Sequence, residues 1–448
     1  MTPIPGPKGS PIIRQAPDLI AGAPRFLSRL ADEYGPVVRF GVFTNTFYLI
    51  TSPELVREVL VTQAANFPKD DRDVELLSRV VGIGLVTANG EEHKRQRRLA
   101  QPAFHSKRVD AYAETMVDYT EAMTGEWQDG QELDVAESMR ELTMYIVTRT
   151  LFGTGREAMR AMAERVGAAI HAVQNIADKE FQSPLVLPVW LPTARNRERR
   201  AATAVLYETI DRLIAERRGP GAADTGDLLS MLLRAKDEAG DRFTDTEVRD
   251  QLVTFFVAGH ETTSNALTWT WYLLSQHPEA EARVHAEVDA VLGERMPSLA
   301  DLPRLPYTLQ VIKESMRLYP PAWTLNIRRA QADTAMGDYH FRRGDRIWIS
   351  PFALHRRPEY FPDPERFDPE RWTPEREKAL PRYGYLPFGG GPRVCIGNGF
   401  AMMEAHLIIA AVARQFRLRL MPGQTVDLNA QVTLSNHGGM HMRVERRM

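Results

Sequence analysis

Phe388-Gly389-Gly390-Gly391-Pro392-Arg393-Val394-Cys395-Ile396-Gly397 sets the only cysteine of a 448-residue chain in a glycine-rich turn, just before an apolar helical pattern over residues 400–413. Glycines, having no Cβ, let the backbone approach a flat ligand and aim its N–H groups at a sulfur. Those groups and a helix start stabilise a thiolate and lower its pKa. A lone cysteine is more often a buried structural residue. Three glycines and an arginine in the same turn argue against that here. A single cysteine also excludes an intrachain disulfide, a Cys-rich zinc site and a cysteine-ligated iron–sulfur cluster.

The rest of the chain sets the frame. With 43% hydrophobic and 25% charged residues the composition is that of an ordinary globular protein. The formal net charge of −2 supplies no field for nucleic acid or anionic lipid, so no nucleic-acid partner is expected. Pro3, Pro5 and Pro7 break the N-terminus and no apolar leader core follows, so no secretory signal is expected. The longest clean apolar run, residues 407–413, is far short of the roughly 20 residues of a membrane span. A cytoplasmic chain follows as the expectation.

Local patterns predict a mainly α chain with a minor β portion, an α+β fold. The first 35 residues read as irregular and residues 37–51 as a hairpin. Ser52-Pro53 caps a helix over 54–62, and helices dominate from about 91 to 317. The glycine-rich stretch 218–227 reads as a loop. Thr244 and Glu247 form a capping box that opens a helix running to Pro278. About thirty residues at 1.5 Å each make a rod of roughly 45 Å. Residues 425–445 alternate like a hairpin around His437-Gly438-Gly439, whose histidines read as surface residues.

Several catalytic devices are missing. There is no P-loop, no G-x-S-x-G elbow and no second histidine after His260-Glu261 to complete a zincin helix. The long helix is unusual instead. Between Phe255-Phe256-Val257 and Ala266-Leu267 it carries Ala258-Gly259-His260-Glu261-Thr262-Thr263. A mid-helix glycine costs about 1 kcal/mol against alanine, so a polar break in an apolar helix needs a purpose. Glu314 and Arg317 stand at i, i+3 and can pair, as on many surface helices.

Together these segments resemble the cytochrome P-450 superfamily. Phe388, Gly391, Arg393, Cys395 and Gly397 fit its Phe-x-x-Gly-x-Arg-x-Cys-x-Gly signature, and residues 258–262 its oxygen-activation motif. The resemblance implies one large domain over residues 1–448, with a long central helix over haem b and no fused reductase or ferredoxin module. It makes Cys395 the axial thiolate on haem iron, with Phe388 and Gly397 around the sulfur and Arg393 on a propionate. His93, in a position where the family often has tryptophan, and Arg97 would hold propionates, as would Arg328. Glu261 and Thr262 would relay protons. Glu314, Arg317 and an arginine from a downstream Pro-Glu-Arg segment would form a structural triad. Two arginines qualify, Arg366 and Arg371; Phe367 before Pro369 favours Arg371, with Trp372 replacing the usual phenylalanine.

By the same resemblance, substrate contacts fall on residues 73–86 and on Phe255, Ala258, Ala322, Trp323, Leu325 and Leu434. The apolar connection 181–191 reads either as a buried core loop or as an access lid, and the lid is preferred. The implied activity is insertion of one oxygen atom of O2 into a C–H or C=C bond of a lipophilic molecule, a fatty acid or a terpenoid or carotenoid. Electrons would come from a separate ferredoxin or flavodoxin-type donor and its reductase, and the enzyme is expected to be a monomer. Lys94, Arg95 and Arg98 read either as a solvated charged face or as a docking patch for that donor. Rival readings are an isomerase, dehydratase or peroxygenase of the same fold, and a non-catalytic haem adaptor or sensor. Each would be expected to lose Glu261, Thr262 or Cys395, which this chain keeps.

Overall fold

The computed structural model describes residues 3–9, 12–153, 156–183, 185–219, 226–238 and 240–447. In chain order its helices are α1 Ala16–Tyr34, α2 Pro53–Arg57, α3 Asp71–Val81, α4 Gly90–Ala100, α5 Ser106–Asp110, α6 Ala113–Gly125, α7 Val135–Phe152 and α8 Arg156–Gln182. They continue as α9 Ala194–Arg218, α10 Leu228–Arg234, α11 Asp245–Gln276, α12 Pro278–Leu292, α13 Pro306–Leu318, α14 Pro351–Leu354, α15 Pro374–Ala379 and α16 Asn398–Gln415. The strands are β1 Val37–Val42, β2 Asn45–Ile50, β3 Glu132–Asp134, β4 Arg328–Arg329, β5 Thr334–Met336 and β6 Tyr339–Phe341. The last five are β7 Arg346–Ile349, β8 Phe416–Leu420, β9 Leu428–Ala430, β10 Leu434–Asn436 and β11 His441–Arg446. The mainly helical architecture with small sheets is the expected one.

The chain divides into two compact units. One is built from Met1–Asp70, Thr120–Met139 and Thr262–Met448, the other from Asp71–Tyr119 and Arg140–Glu261. All strands among the described residues lie in the first unit. The second is helical. The expected loop at 218–227 falls largely on residues 220–225, outside the described residues.

The N-terminal expectation is corrected. Residues 16–34 form α1, because both prolines sit where a helix tolerates them. Pro17 opens the helix, and Pro24 follows a break at Gly22, whose φ of 172° and ψ of 78° are not helical. Beyond the break Phe26, Leu27, Leu30 and Ala31 share one face and pack with Val38, Phe40 and Leu49 of the first sheet. That sheet has the order β1-β2-β7-β4, with β1 and β2 forming the expected hairpin and β2 running parallel to β7. Ser52 caps α2 through the Leu55 N–H at 3.4 Å, but the helix widens to a π-turn over Glu58–Thr62.

The second correction concerns the C-terminus. β10 and β11 do not form a hairpin with each other. β10 pairs with β9, whereas β11 pairs with β8 and β3. Gly438 and Gly439 adopt successive left-handed conformations, φ 83° and 82°, which turn the chain from one sheet into another. A Cβ on Gly439 would lie 2.3 Å from the Asp134 carboxylate, which accepts the Met440 N–H at 2.8 Å.

α11 is the longest helix described, 32 residues or about 48 Å at 1.5 Å per residue. Its capping box is formed: Thr244 N–H donates to Glu247 Oε2 at 2.7 Å, and Glu247 N–H donates to Thr244 Oγ1 at 3.2 Å. The division between the two units falls within it, between Glu261 and Thr262.

Candidate active site

In the first unit the site is assembled from α13 outward. Glu314 and Arg317 are both fully buried. Arg317 Nε and Nη2 each donate to a Glu314 oxygen at 2.8 Å. Its remaining N–H groups reach the carbonyls of His355 at 3.1 Å, Pro364 at 2.6 Å and Arg366 at 3.1 Å. Glu314 Oε1 also accepts the Asp368 N–H at 2.9 Å and faces Arg371 Nε at 3.3 Å, while Oε2 accepts Trp372 Nε1–H at 3.0 Å. The structure thus brings Glu314, Arg317 and Arg371 together. Arg366 contributes only its carbonyl. Trp372, which departs from the family's phenylalanine, contributes a hydrogen bond that phenylalanine cannot make.

This cluster buttresses the start of the cysteine turn. Tyr385 lies against Trp372, with ring centroids 4.3 Å apart, and donates to the Lys313 carbonyl at 2.9 Å. His355 Nε2 accepts the Leu386 N–H at 2.8 Å. Burial in this apolar pocket pulls the His355 imidazole down to about 3, which keeps Nε2 an acceptor. Nothing in the sequence around His355 announced that role.

The turn then runs flush against its own unit. Gly391 has φ 67°, and a Cβ there would stand 2.1 Å from the Leu60 carbonyl oxygen. A Cβ on Gly390 would press the Tyr383 ring at 2.8 Å. The Cys395 N–H donates to the Phe388 carbonyl at 2.9 Å, and Gly397 caps α16. Cys395 itself is exposed. Two residues earlier Arg393 is partly buried, and that burial pulls its guanidinium down to about 10. A haem offers an iron that takes a thiolate and carboxylates that take cations. An accessible sulfur at a helix start, beside a partly desolvated arginine, fits both demands. Among the described residues no group of three or more His, Cys, Asp or Glu side chains is placed to hold a metal ion.

Arg328 is buried in β4, which pairs with β7. Of the expected substrate contacts in this unit, Ala322 and Leu325 are partly buried. Trp323 and Leu434 are instead core residues, packed with Phe26 and Phe352. Trp323 Nε1–H donates to the Gln431 carbonyl at 2.8 Å and the Leu434 carbonyl accepts Trp269 Nε1–H at 3.0 Å. α16 also carries a fully buried carboxyl, Glu404, close to Thr263, the residue after Thr262. Burial pushes it well above the carboxylate range, which favours its neutral form.

In the second unit, His93 is buried on α4, and Arg97, one turn on, donates to Gln101 Oε1 at 2.9 Å. Lys94 pairs with Glu91 at 2.6 Å, Arg95 with Glu92 at 2.8 Å and with Glu247, and Arg98 with Asp237 at 3.6 Å. Lys94, Arg95 and Arg98 thus each face an acid of their own unit. On α11 Phe255 is buried against Phe104, with centroids 5.1 Å apart, while Ala258 is exposed. Glu261 accepts a hydrogen bond from Gln174 Nε2 of α8, a partner without a sequence signal. His260 is buried, its Nδ1 bonded to the Phe256 carbonyl at 2.8 Å, and burial lowers its pKa. In the connection 181–191, Leu185, Val189 and Trp190 are exposed, so it is not a buried core loop.

Comparison with known proteins agrees with this geometry. The family described as Cytochrome P450 matches residues 4–440. Cyclooctat-9-en-7-ol 5-monooxygenase of Streptomyces melanosporofaciens is 42% identical over 90% of this chain and 86% of its own. Pentalenene oxygenase of Streptomyces avermitilis is 35% identical over 98% of this chain and 97% of its own. The crystal structure of the cytochrome P450DA heme domain superposes with a TM-score of 0.90 at 28% identity, covering 100% of this chain and 98% of that one. With the family pattern and the fold both extending over nearly its full length, the chain belongs to the cytochrome P450 family.

Proposed function

We propose that this member is a haem-thiolate monooxygenase acting on a cyclic terpenoid, inserting one atom of O2 into a C–H or C=C bond. The observation that carries the chemistry is the exposed Cys395 at the start of α16, beside the partly buried Arg393. The substrate class rests on relatives whose names specify cyclooctat-9-en-7-ol and pentalenene as the compounds oxidised. The exposed Ala258 on α11 suits such a molecule.

Haem b, when bound, supplies the activation of oxygen. The residues of the chain do the rest. Cys395 would be its ligand, and the helix start and the turn's N–H groups would favour the thiolate form. Arg393, Arg328, Arg97 and His93 are assigned to its propionates. Glu261, held by Gln174, and Thr262 deliver protons through their carboxyl and hydroxyl oxygens. Ala258, Phe255, Ala322 and Leu325 are assigned to the substrate. A separate ferredoxin or flavodoxin-type donor with its reductase is assigned as the source of electrons. A cytoplasmic monomer is the state assigned to it.

Turnover of pentalenene and cyclooctat-9-en-7-ol under 18O2, with a ferredoxin and its reductase, tests this reading. The expected product carries one 18O atom. Oxygenated product labelled from water, or none from any cyclic terpene in a fully haem-loaded enzyme, contradicts it. Thr262→Ala is expected to lower product formed per electron pair consumed by about 10²-fold, the typical contribution of a positioned proton donor. Haem content should stay at the wild-type level. An unchanged yield removes Thr262 from proton delivery.

A further inference from the structure

In the first unit, residues 66–70 run antiparallel beside β4 and the chain that follows it. The Gln331 N–H donates to the Asn66 carbonyl at 2.9 Å, the Arg329 N–H to the Pro68 carbonyl at 3.0 Å and the Asp70 N–H to the Ile327 carbonyl at 2.8 Å. Pro68 accepts but has no N–H to give back, which suits the edge of a sheet. This register sets Lys69 opposite Arg328 in an antiparallel bridge. The bonds flank that pair and do not join it, so it is the closer kind of antiparallel pair. Such residues have Cα atoms about 4.5 Å apart and both side chains on one face.

The same register sets Phe67 against Ala330, two residues from Lys69 and Arg328 and hence on the same face. Phe67 and Ala330 are core residues packed in one cluster with Leu60 and Leu386, at the start of the cysteine turn. The face that carries the two cations is therefore turned to the interior of this unit. Lys69 and Arg328 are only 7% and 8% exposed. Asp70 leaves the segment on the opposite face, where its carboxylate accepts the Arg346 Nε–H at 3.0 Å.

Two like charges set opposite each other repel, and more strongly where water is excluded. A carboxylate placed between them replaces that repulsion with two charge-assisted hydrogen bonds, one for each oxygen. The arginine brings a planar fork and the lysine a compact point charge, so the two can share one anion without competing for the same geometry. We propose that Lys69 is a haem-holding residue, which grips one propionate carboxylate together with Arg328. The assignment rests on the haem-thiolate reading above and adds Lys69 to the residues named there.

Haem transfer from the loaded enzyme to excess apomyoglobin tests it. Lys69→Met, which keeps the length of the side chain and removes the charge, is expected to speed haem loss about 10-fold, the low end for a hydrogen bond to a charged group. Lys69→Arg keeps the cation and should stay near the wild-type rate. In enzyme loaded with the dimethyl ester of the same haem, whose propionates carry no charge, Lys69→Met should make no difference. If Lys69→Met does not fold, Lys69→Gln carries the same comparison. Haem loss at the wild-type rate in the uncharged variant overturns the proposal. Equal acceleration with the ester also overturns it, because Lys69 would then support the fold and not the carboxylate. Weaker binding of dodecanoic acid, read from the spin-state shift, with haem loss unchanged would give Lys69 to a substrate carboxylate instead and overturn it as well. A wild-type chain that takes up no haem overturns the haem-thiolate reading with it, whereas a loaded enzyme indifferent to Lys69 overturns this assignment alone.

Discussion

Glu314→Ala is expected to destabilise the folded chain by about 3–5 kcal/mol, the cost of leaving a buried partner charge uncompensated. Arg317 is fully buried and spends two N–H groups on Glu314 and three on carbonyls of residues 355, 364 and 366. Removing the carboxylate strands that guanidinium, Trp372 Nε1–H and the Asp368 N–H at once. The segment so loosened carries Tyr385 and leads into the cysteine turn, so haem retention should fall with stability. Arg366→Ala supplies the contrast. Its side chain is exposed and only its carbonyl is used, so the change should stay within about 0.5 kcal/mol. Urea unfolding midpoints at constant m-value check both. Equal damage from Arg366→Ala and Arg371→Ala would contradict the assignment of Arg371 to the triad.

The second large effect is acid lability. Burial pulls His285 and His355 down to about 3 and His406 to about 4, against 6.5 in an unfolded chain. These folded pKa values are depressed, so the imidazoles stay neutral in the fold and take up protons only on unfolding. Stability is therefore lost as pH falls below 6.5, down to the folded values. Glu404 acts in the opposite sense. Its raised folded pKa means that, from 4.5 up to that raised value, it releases a proton on unfolding. With His260, also lowered by burial, four protons are gained and one is released, which leaves about three, or roughly 4 kcal/mol lost per pH unit between pH 6.5 and 4.5. Unfolding free energies measured at half-unit steps should show that slope. His355→Gln, which keeps an acceptor for the Leu386 N–H but does not titrate, should lower the slope by about one proton. A flat profile across this window would contradict the neutral buried histidines.

How much of this was written in the sequence differs from element to element. The capping box of α11, the β1–β2 hairpin and the helix after Cys395 were legible, because each is set by local chemistry. α1 was not, since counting prolines says nothing of where in a helix turn they fall; Pro17 and Pro24 both sit at a start. The partner of β11 was hidden for a different reason. Alternation marks a strand but not its neighbour, and two left-handed glycines sent the chain to another sheet. The residues of the site followed the same divide. Those with a fixed spacing, such as Glu314 and Arg317, could be found. Partners from distant segments, such as His355 under Leu386, Gln174 on Glu261 and Lys69 opposite Arg328, could not. Trp323 and Leu434 pack in the core, and an apolar residue near a site and an apolar residue in the core look alike in sequence.

The account stands on Cys395 as the thiolate ligand of a haem. The most direct test is the reduced spectrum under carbon monoxide, recorded on the wild-type protein and on Cys395→Ser. The wild type should show the strongly red-shifted Soret band of a thiolate-ligated haem, and the variant should lose it while its far-ultraviolet circular dichroism is retained. A haem band indifferent to the loss of Cys395, or a folded wild type that takes up no haem, would contradict the account.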